Sequence, residues 1–160
     1  MLATLAALDA HHLDARAAIE MACMDLTARR AGLSVATLLG GAVRDELRFN
    51  AWIGMLPPAE AAREAVRWRD AGFGSCKVKV GGEVAADVAR VRAVREATGP
   101  GFAIRADGNE GYAESDAIAF VEGARDVGLQ LYEQPVPGDD LAAMARVRAR
   151  ANAVGVPLMA

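Results

Sequence analysis

Three ionisable residues close successive apolar segments of the chain at nearly equal spacing. Lys79 is the last charged residue of the segment SCKVKV, Asp107 closes FAIRAD and Glu133 closes LQLYE, at intervals of 28 and 26 residues. If each segment is a β-strand that is followed by a helix, all three side chains reach the same end of neighbouring parallel strands. Barrel enzymes build their active sites at that end, so this pattern predicts a site that joins a base to a metal.

The segment SCKVKV places two lysines, Lys77 and Lys79, on one face of a strand. The two residues are about 7 Å apart along the strand, so their ammonium groups repel, and we expect each to lower the pKa of the other. A lysine that is partly neutral near pH 7 can act as a general base. The alternative is a pair of solvated lysines on an edge strand, which we favour less because inward lysines within the repeat are costly.

Asp107 and Glu133 stand where a predicted strand passes into a loop, in the runs DGN and EQP. Two carboxylates there, with oxygens of substrate and water, suit Mg2+ (or Mn2+) better than zinc, which prefers His or Cys. Asn109 and Gln134 follow the two carboxylates and are assigned to orient them. Arg105 shares a strand face with Asp107 and is interpreted as structural, paired with a carboxylate. Taken singly, Asp107 also fits a turn or helix cap, and Glu133 a surface charge.

Strands and helices that alternate after residue 48 must position these side chains. The predicted strands cover 48–53, 75–80, 102–106, 129–132 and 156–159, and the predicted helices cover 57–72, 83–98, 114–127 and 139–153. Such a repeat forms either an open doubly wound sheet or a closed barrel. Because the G-x-G-x-x-G turn of a dinucleotide-binding sheet is missing, we predict an α/β fold with about the first four to five units of a (β/α)8 TIM-type barrel.

Residues 1–47 do not join the repeat. Residues 14–31 predict an amphipathic helix with Asp14 as its N-cap and Gly32 as its stop, and 35–41 predict a short helical turn. We therefore divide the chain into 1–47, which packs on the barrel or belongs to a preceding domain, and 48–160, which forms part of the barrel.

Composition excludes several classes of function. The chain has 160 residues and a net charge of −3, which offers no electrostatic basis for binding nucleic acid or an anionic membrane. No apolar run approaches the roughly 20 residues of a membrane span. Two isolated cysteines, Cys23 and Cys76, predict buried free thiols in a reducing compartment, so we expect a cytoplasmic protein.

Several runs in order resemble a known family. The segments ARAAIEMACMDLTARRAG…LLGG, KVKVGG, RADGNEGY and YEQPVPGDDL look like those of the mandelate racemase and muconate lactonizing enzymes of the enolase superfamily. The resemblance covers roughly residues 14–160, and its K-x-K motif is closest to the muconate lactonizing and dipeptide epimerase branch. It implies that Lys79 is the acid/base on one substrate face, that Lys77 tunes Lys79 and contacts the substrate carboxylate, and that Asp107 and Glu133 are the first two metal ligands.

The resemblance also implies a reaction and a domain assignment. The reaction is Mg-dependent abstraction of the proton alpha to a carboxylate through an enediolate, which leads to racemisation, epimerisation, cycloisomerisation or dehydration. Residues 1–47 would be a helical remnant of an N-terminal capping domain. The family carries a third carboxylate ligand after the fifth strand and a lysine on a later strand. Because the sequence ends at Ala160, we expect it to cover the middle of a family member, with an incomplete site.

Other functions stay open at this point. Lys77 or Lys79 could serve as the nucleophile of a Schiff-base barrel lyase. An inactive half-barrel could instead act through pairing of its exposed sheet edges with another chain. For the enzyme we expect a small carboxylate substrate as the partner and assembly into a homo-oligomer.

Overall fold

The computed structural model describes residues 12–160. The chain divides after Leu47 into two compact units, and the second begins at Arg48. The part of the predicted 1–47 segment that precedes His12 lies outside the described residues. None of the helices within 12–160 combines the length and the apolar character that crossing a membrane requires.

The described part of the first unit, residues 12–47, contains two helices. Helix α1 spans Leu13–Arg30 and helix α2 spans Val35–Leu38. Asp14 was predicted to cap α1 but lies inside its first turn, where a carboxylate still stabilises the positive end of the helix dipole. Gly32, at φ +67°, follows the end of α1 in the left-handed conformation that often ends a helix. The Cys23 thiol on α1 is free but partly exposed, so the prediction that it is buried was wrong.

The second unit alternates strands with helices throughout. Its strands are β1 (Ala51–Ile53), β2 (Ser75–Lys79), β3 (Ala103–Asp107), β4 (Leu131–Glu133) and β5 (Leu158–Met159). Its helices are α3 (Pro58–Asp70), α4 (Val84–Thr98), α5 (Glu114–Gly123) and α6 (Leu141–Ala153). Side-chain oxygens cap two of these helices, that of Glu83 for α4 and that of Asp140 for α6.

The five strands form one parallel sheet in the order β1-β2-β3-β4-β5. A doubly wound sheet reverses its strand order at a switch point, whereas each strand here pairs with the next one along the chain. That order is the one that a barrel of repeated βα units requires. The predicted fold class, an α/β chain that forms part of a (β/α)8 barrel, is therefore confirmed.

The hydrophobic core lies between the sheet and the helices. Alternate strand residues point into it because successive side chains of a strand face opposite sides; they include Ala51, Ile53, Cys76, Val78, Ile104, Ala106 and Tyr132. The ring of Tyr132 packs against that of Phe120 on α5, with centroids 5.1 Å apart. The lysines of β2 alternate with its buried residues and are partly exposed, so the charged residues lie on the sheet face opposite to the core.

Helix α5 is the element whose extent differs most from the prediction. It was expected to reach residue 127 but ends at Gly123, and hydrogen-bonded turns continue to residue 127. A Cβ at Gly123 would lie 2.9 Å from the Val88 side chain. The glycine thus lets α5 approach α4 closely, although glycine weakens a helix, and the helix ends there. The observed strands differ from the predicted ones by one to three residues at their ends.

Candidate active site at the carboxyl end of the sheet

The register of the sheet brings the predicted site residues together. Lys79 is the register partner of Asp107, and Asp107 is the partner of Glu133, so the three positions form one row across β2, β3 and β4. Lys77 lies one row lower, opposite Arg105. Parallel strands end at the same side of a sheet, and the nearly equal repeats therefore place all four charged side chains at one end.

These four side chains form a connected network of ion pairs. The Nζ of Lys79 lies 2.6 Å from Oδ2 of Asp107. The Nζ of Lys77 lies 3.4 Å from the same oxygen and 2.7 Å from Oε2 of Glu133. Asp107 thus contacts both lysines, and its side chain is almost completely buried whereas the lysine side chains are about one quarter exposed.

The ion pairs of this network shift the pKa values of Asp107 and Lys77. Burial raises the pKa of Asp107, but hydrogen bonds from Lys79 and from the Asn109 backbone, with the two lysine charges, bring it below its usual value. Burial lowers the pKa of Lys77, but hydrogen bonds and charges of Glu133 and Asp107 raise it above its usual value. The prediction that repulsion between the lysines lowers the pKa was therefore wrong for Lys77, because its two carboxylate partners outweigh its neighbour.

The chain contains no lysine outside this network. Of its 18 lysine and arginine residues, Lys77 and Lys79 are the only lysines. Arginine stays charged at every accessible pH, whereas a lysine ammonium can lose its proton when its surroundings favour the neutral form. The two lysines of this chain thus lie two residues apart on β2.

The residues that follow the carboxylates hold unusual backbone conformations. Asn109 has φ +45° and Gln134 has φ +39°, values that residues other than glycine seldom adopt outside functional sites. The amide oxygen of Asn109 accepts a hydrogen bond from Nζ of Lys79 at 2.5 Å, and its backbone N–H donates to Asp107 at 3.1 Å. Gln134 joins the neighbouring loop through its backbone, whose carbonyl accepts from the N–H of Glu110 at 2.8 Å. That Gln134 orients Glu133 stays a prediction.

Arg105 has a different partner from the one expected. Its Nε donates a hydrogen bond to the side-chain oxygen of Gln130 at 2.8 Å, so the expectation of a carboxylate partner was wrong. The carboxylates of the row above it, Asp107 and Glu133, pair with the lysines instead.

Sequence reasoning missed a buried polar cluster next to the site. Asp87 and Arg90 on α4 are buried and paired with each other, and the hydroxyl of Tyr112 donates to Asp87 at 2.5 Å. The signal was present in the sequence, since Asp87 and Arg90 are spaced i and i+3 on the helix face that carries the buried residues Val91 and Val94. A charged pair on the face of a helix that turns toward the core is a pattern that a search for apolar stripes discards.

The donor set suits a hard cation. Asp107 and Glu133 are register partners with carboxylate oxygens, and oxygen donors of this kind favour Mg2+ over zinc. Within residues 12–160 these two carboxylates do not belong to any group of three or more His, Cys, Asp or Glu residues placed to hold a metal ion. In this structure the lysine ammonium groups supply the positive charge that faces the two carboxylates.

Family models match both parts of the chain. Residues 60–160 match the model described as the enolase C-terminal domain-like family, and residues 2–40 match the N-terminal domain of the mandelate racemase / muconate lactonizing enzymes. The first match alone covers more than half of the chain.

Several characterised proteins are similar to this chain. The L-Ala-D/L-Glu epimerase of Bacillus subtilis is 36% identical over 152 residues, which are 93% of this chain and 40% of that protein. The N-succinyl-L-Arg/Lys racemase of Bacillus cereus is 35% identical over 146 residues, which are 91% of this chain and 39% of that protein. The chain thus spans about two fifths of the length of these relatives.

Solved structures agree with the sequence matches. The structure of the Bacillus cereus N-succinyl Arg/Lys racemase matches with a TM-score of 0.81 at 33% identity. The match covers 88% of this chain and 38% of the racemase chain. That of the Enterococcus faecalis dipeptide epimerase, complexed with Mg and the dipeptide L-Leu-L-Tyr, has a TM-score of 0.78 at 34% identity and covers 86% and 38%. The chain therefore belongs to the mandelate racemase/muconate lactonizing enzyme family of the enolase superfamily.

Proposed function

We propose that this site removes the proton from the carbon next to a carboxylate group of a small substrate, in a reaction that depends on Mg2+. One observation carries the proposal: the two lysines of the chain and the carboxylates Asp107 and Glu133 form one connected network at the carboxyl end of a barrel-type sheet. General acid–base chemistry needs a base and an electrostatic partner within a few ångströms of one reacting carbon.

Each residue has a task that its contacts support. Lys79, in its neutral form, accepts the substrate proton at Nζ, and Asn109 and Asp107 hold that nitrogen in place by accepting its hydrogen bonds at 2.5 and 2.6 Å. Lys77, which Glu133 and Asp107 keep charged, faces the substrate carboxylate as an ammonium group.

Asp107 and Glu133 are the residues that would hold Mg2+. When bound, the ion supplies positive charge that stabilises the negative charge growing on the substrate carboxylate. The low pKa of Asp107 keeps this carboxylate ionised at every pH near neutrality, which is the form that a hard cation requires.

The relatives support a class of substrate. Three relatives at 36% and 35% identity are named for dipeptides and for N-succinyl amino acids, which share a carbon that carries a carboxylate and an acylated nitrogen, whereas a fourth at 35% is a D-galactarolactone cycloisomerase. We propose that the substrate of this chain belongs to that class. The contacts of Lys77 argue against this residue as the nucleophile of a Schiff-base lyase, because a lysine paired with two carboxylates stays an ammonium group, which is not a nucleophile. Assembly into a homo-oligomer stays a prediction.

Exchange of the substrate proton with deuterium tests the proposal. A longer chain, which extends residues 1–160 to the third carboxylate ligand that the family resemblance implies, is incubated in D2O with Mg2+ and either L-Ala-L-Glu, a hydrophobic dipeptide or N-succinyl-L-arginine, and loss of the α-proton signal is followed by NMR. In that longer chain we expect exchange with at least one compound, a loss of about 10²–10⁴-fold in Lys79→Met, and loss of exchange when EDTA removes the metal. Arg92→Met is the matched control, because Arg92 contacts Asp126 and the Gly123 carbonyl outside the site. Exchange that survives in Lys79→Met would show that another group is the base.

A further inference from the structure

The buried cluster of Asp87, Arg90 and Tyr112, hereafter the Asp87 cluster, carries the desolvation cost of two buried charges. The Asp87 side chain is fully buried and that of Arg90 is 7% exposed. Two charges withdrawn from water lose solvation that their mutual attraction only partly restores. An apolar pair of similar size would stabilise the core equally well, so the role of the cluster must be sought in the groups that it binds.

The free hydrogen-bonding groups of the cluster bind backbone atoms at the site. Arg90 donates from Nε to the carbonyl of Leu56 at 2.5 Å and from Nη1 to the carbonyl of Lys79 at 3.2 Å. Oδ2 of Asp87 accepts from the N–H groups of Gly81 and Gly82 at 3.0 and 2.9 Å. The cluster therefore binds the backbone on both sides of the point where β2 ends, and through Leu56 it also binds the loop after β1.

Tyr112 connects the third loop of the site to the same carboxylate. Its hydroxyl donates to Oδ2 of Asp87, and its backbone N–H donates to the carbonyl of Pro135 in the loop after β4. Burial raises the pKa of Tyr112, and the hydrogen bond to Asp87 raises it further, so the hydroxyl keeps its proton and remains a donor. Loops that follow four successive strands thus depend directly or through one residue on Asp87.

The turn that Asp87 holds has no side chain of its own to fix it. Gly81 has φ +106°, and a Cβ there would lie 2.4 Å from the carbonyl oxygen of Gly108. The backbone of the turn packs directly on the backbone of the next loop, which a side chain would prevent. Next to this turn, the N–H of Val80 donates to the carbonyl of Asp107 at 3.0 Å. Displacement of the turn would therefore move Lys79 relative to Asp107.

A second arginine on α4 provides a contrast at the opposite end of the sheet. Arg95 donates to the carbonyls of Val127 and Gly128, which precede β4, and to those of Gly99 and Phe102, which precede β3. It donates to four backbone carbonyls whereas Arg90 donates to two, but its contacts lie at the amino ends of the strands. Arg90 and Arg95 thus bind loops of the same sheet from one helix, and only Arg90 binds at the site.

We propose that the Asp87 cluster positions Lys79. Arg90 fixes the carbonyl of Lys79, and Asp87 fixes the two N–H groups of the following turn, so the lysine side chain leaves the strand in the direction of Asp107 and Asn109. An apolar pair cannot fix the direction of a carbonyl and two N–H groups, and this explains why charged residues occupy a buried place. The inference rests on the proposed role of Lys79 as the base, but the position of Lys79 is measurable without turnover.

Lysine labelling tests this inference directly. A chain grown with lysine that carries 13C at Cε shows lysine signals from Lys77 and Lys79 alone, because the sequence contains no other lysine, and Lys77→Arg assigns them. Asp87→Asn and Arg90→Lys should shift the Lys79 signal and accelerate amide exchange at Gly81 and Gly82 at least tenfold beyond the change in the α6 amides, which report global unfolding. Tyr112→Phe should change the same signals in the same direction but less.

Arg95→Lys is the matched control, since it removes backbone contacts from the same helix at the opposite end of the sheet. We expect it to lower the urea midpoint but to leave the Lys79 signal in place and the exchange at Gly81 and Gly82 within twofold of the α6 amides. Equal changes of the Lys79 signal and of the exchange at Gly81 and Gly82 in Arg90→Lys and Arg95→Lys would overturn the inference. So would a Lys79 signal that stays in place in folded Asp87→Asn. If Asp87→Asn does not fold, the same outcome in Tyr112→Phe would overturn it. A failure of deuterium exchange in the longer chain described under the proposed function would contradict that function and leave these outcomes readable.

Discussion

Replacing Gly81 by alanine separates two costs that the structure places on a single residue. The first cost is conformational, because Gly81 has φ +106° and side chains are strained there. The second is steric, because the new Cβ would lie 2.4 Å from the carbonyl oxygen of Gly108. Gly72 provides the matched control: its φ is +94° and nothing lies within 4 Å of the position of a Cβ. Gly72→Ala therefore carries the first cost without the second.

The expected magnitudes follow from these two environments. A residue held at a sparsely populated positive φ costs on the order of 1–3 kcal/mol, so Gly72→Ala should lower the free energy of unfolding by that amount. Gly81→Ala should cost about 1–3 kcal/mol more, which is the usual penalty of inserting a methyl group into a packed region. The obstacle is a backbone carbonyl, which cannot rotate away as the end of a flexible side chain would.

Urea unfolding followed by far-UV circular dichroism measures both variants, because the helices of the chain supply most of the signal. The lysine signals of the two labelled variants give a second comparison. Gly81→Ala should move the Lys79 signal, since the turn adjoins the hydrogen bond from Val80 to Asp107, whereas Gly72→Ala should leave it in place. Equal losses of stability in the two variants would refute the close approach of the two loops, and with it the argument that this turn fixes Lys79.

Three further predictions follow from single groups. The pKa of Asp107 is lower in the folded chain than its ordinary value of 3.8, so the ionised carboxylate stabilises the fold above pH 3.8. This stabilisation is lost as the pH falls through the lower pKa of the folded chain. The difference in the free energy of unfolding between the parent and Asp107→Asn, measured by urea titration, should therefore shrink below pH 3.8. Burial raises the pKa of Cys76 to about 12, so a thiol reagent at pH 8 should label the partly exposed Cys23 first and Cys76 only on unfolding, as peptide mapping would show; early labelling of Cys76 would contradict its burial. Asp140→Ala should cost about 1 kcal/mol in urea unfolding, because its side chain accepts from the N–H of Ala143 at the start of α6; an unchanged midpoint would argue against this cap.

The architecture was predictable because its signals are periodic. Gly72, Gly101, Gly128 and Gly155 precede strands β2 to β5 at intervals of 29, 27 and 27 residues, and the interval is long enough for one helix and one strand each time. A parallel strand that ends in Asp107 and a neighbour that ends in Glu133 must then meet, whatever the sequences between them. The ends of α5 and β4 were less predictable, because Gly123 serves the contact with Val88, and contacts between helices leave no period in the sequence.

The protonation of Lys77 and the groups that the Asp87 cluster binds were not predictable for a different reason. Whether Lys77 gains or loses its proton more easily depends on its distances to Glu133 and Asp107, which are 2.7 and 3.4 Å, and a sequence contains no distances. Likewise, Asp87 and Arg90 read as a solvated pair on a helix until the backbone groups that they bind are seen. Propensity and periodicity describe elements, whereas pKa values and hydrogen-bond partners are properties of how the elements meet.

Arginine and lysine occur at different kinds of position in this chain, and this difference supports the proposed chemistry. Where this chain needs a fixed cation to bind backbone carbonyls, as at Arg90 and Arg95, it uses arginine, whose planar group offers several donors in fixed directions and does not lose its proton. A residue that only balanced the charges of Asp107 and Glu133 would face the same requirement, and arginine would serve it better. Lysine can in addition release a proton when its surroundings favour the neutral form, and this chain uses it only at positions 77 and 79. A lysine at position 79, where the proposed reaction needs a base, therefore supports the proposed proton transfer.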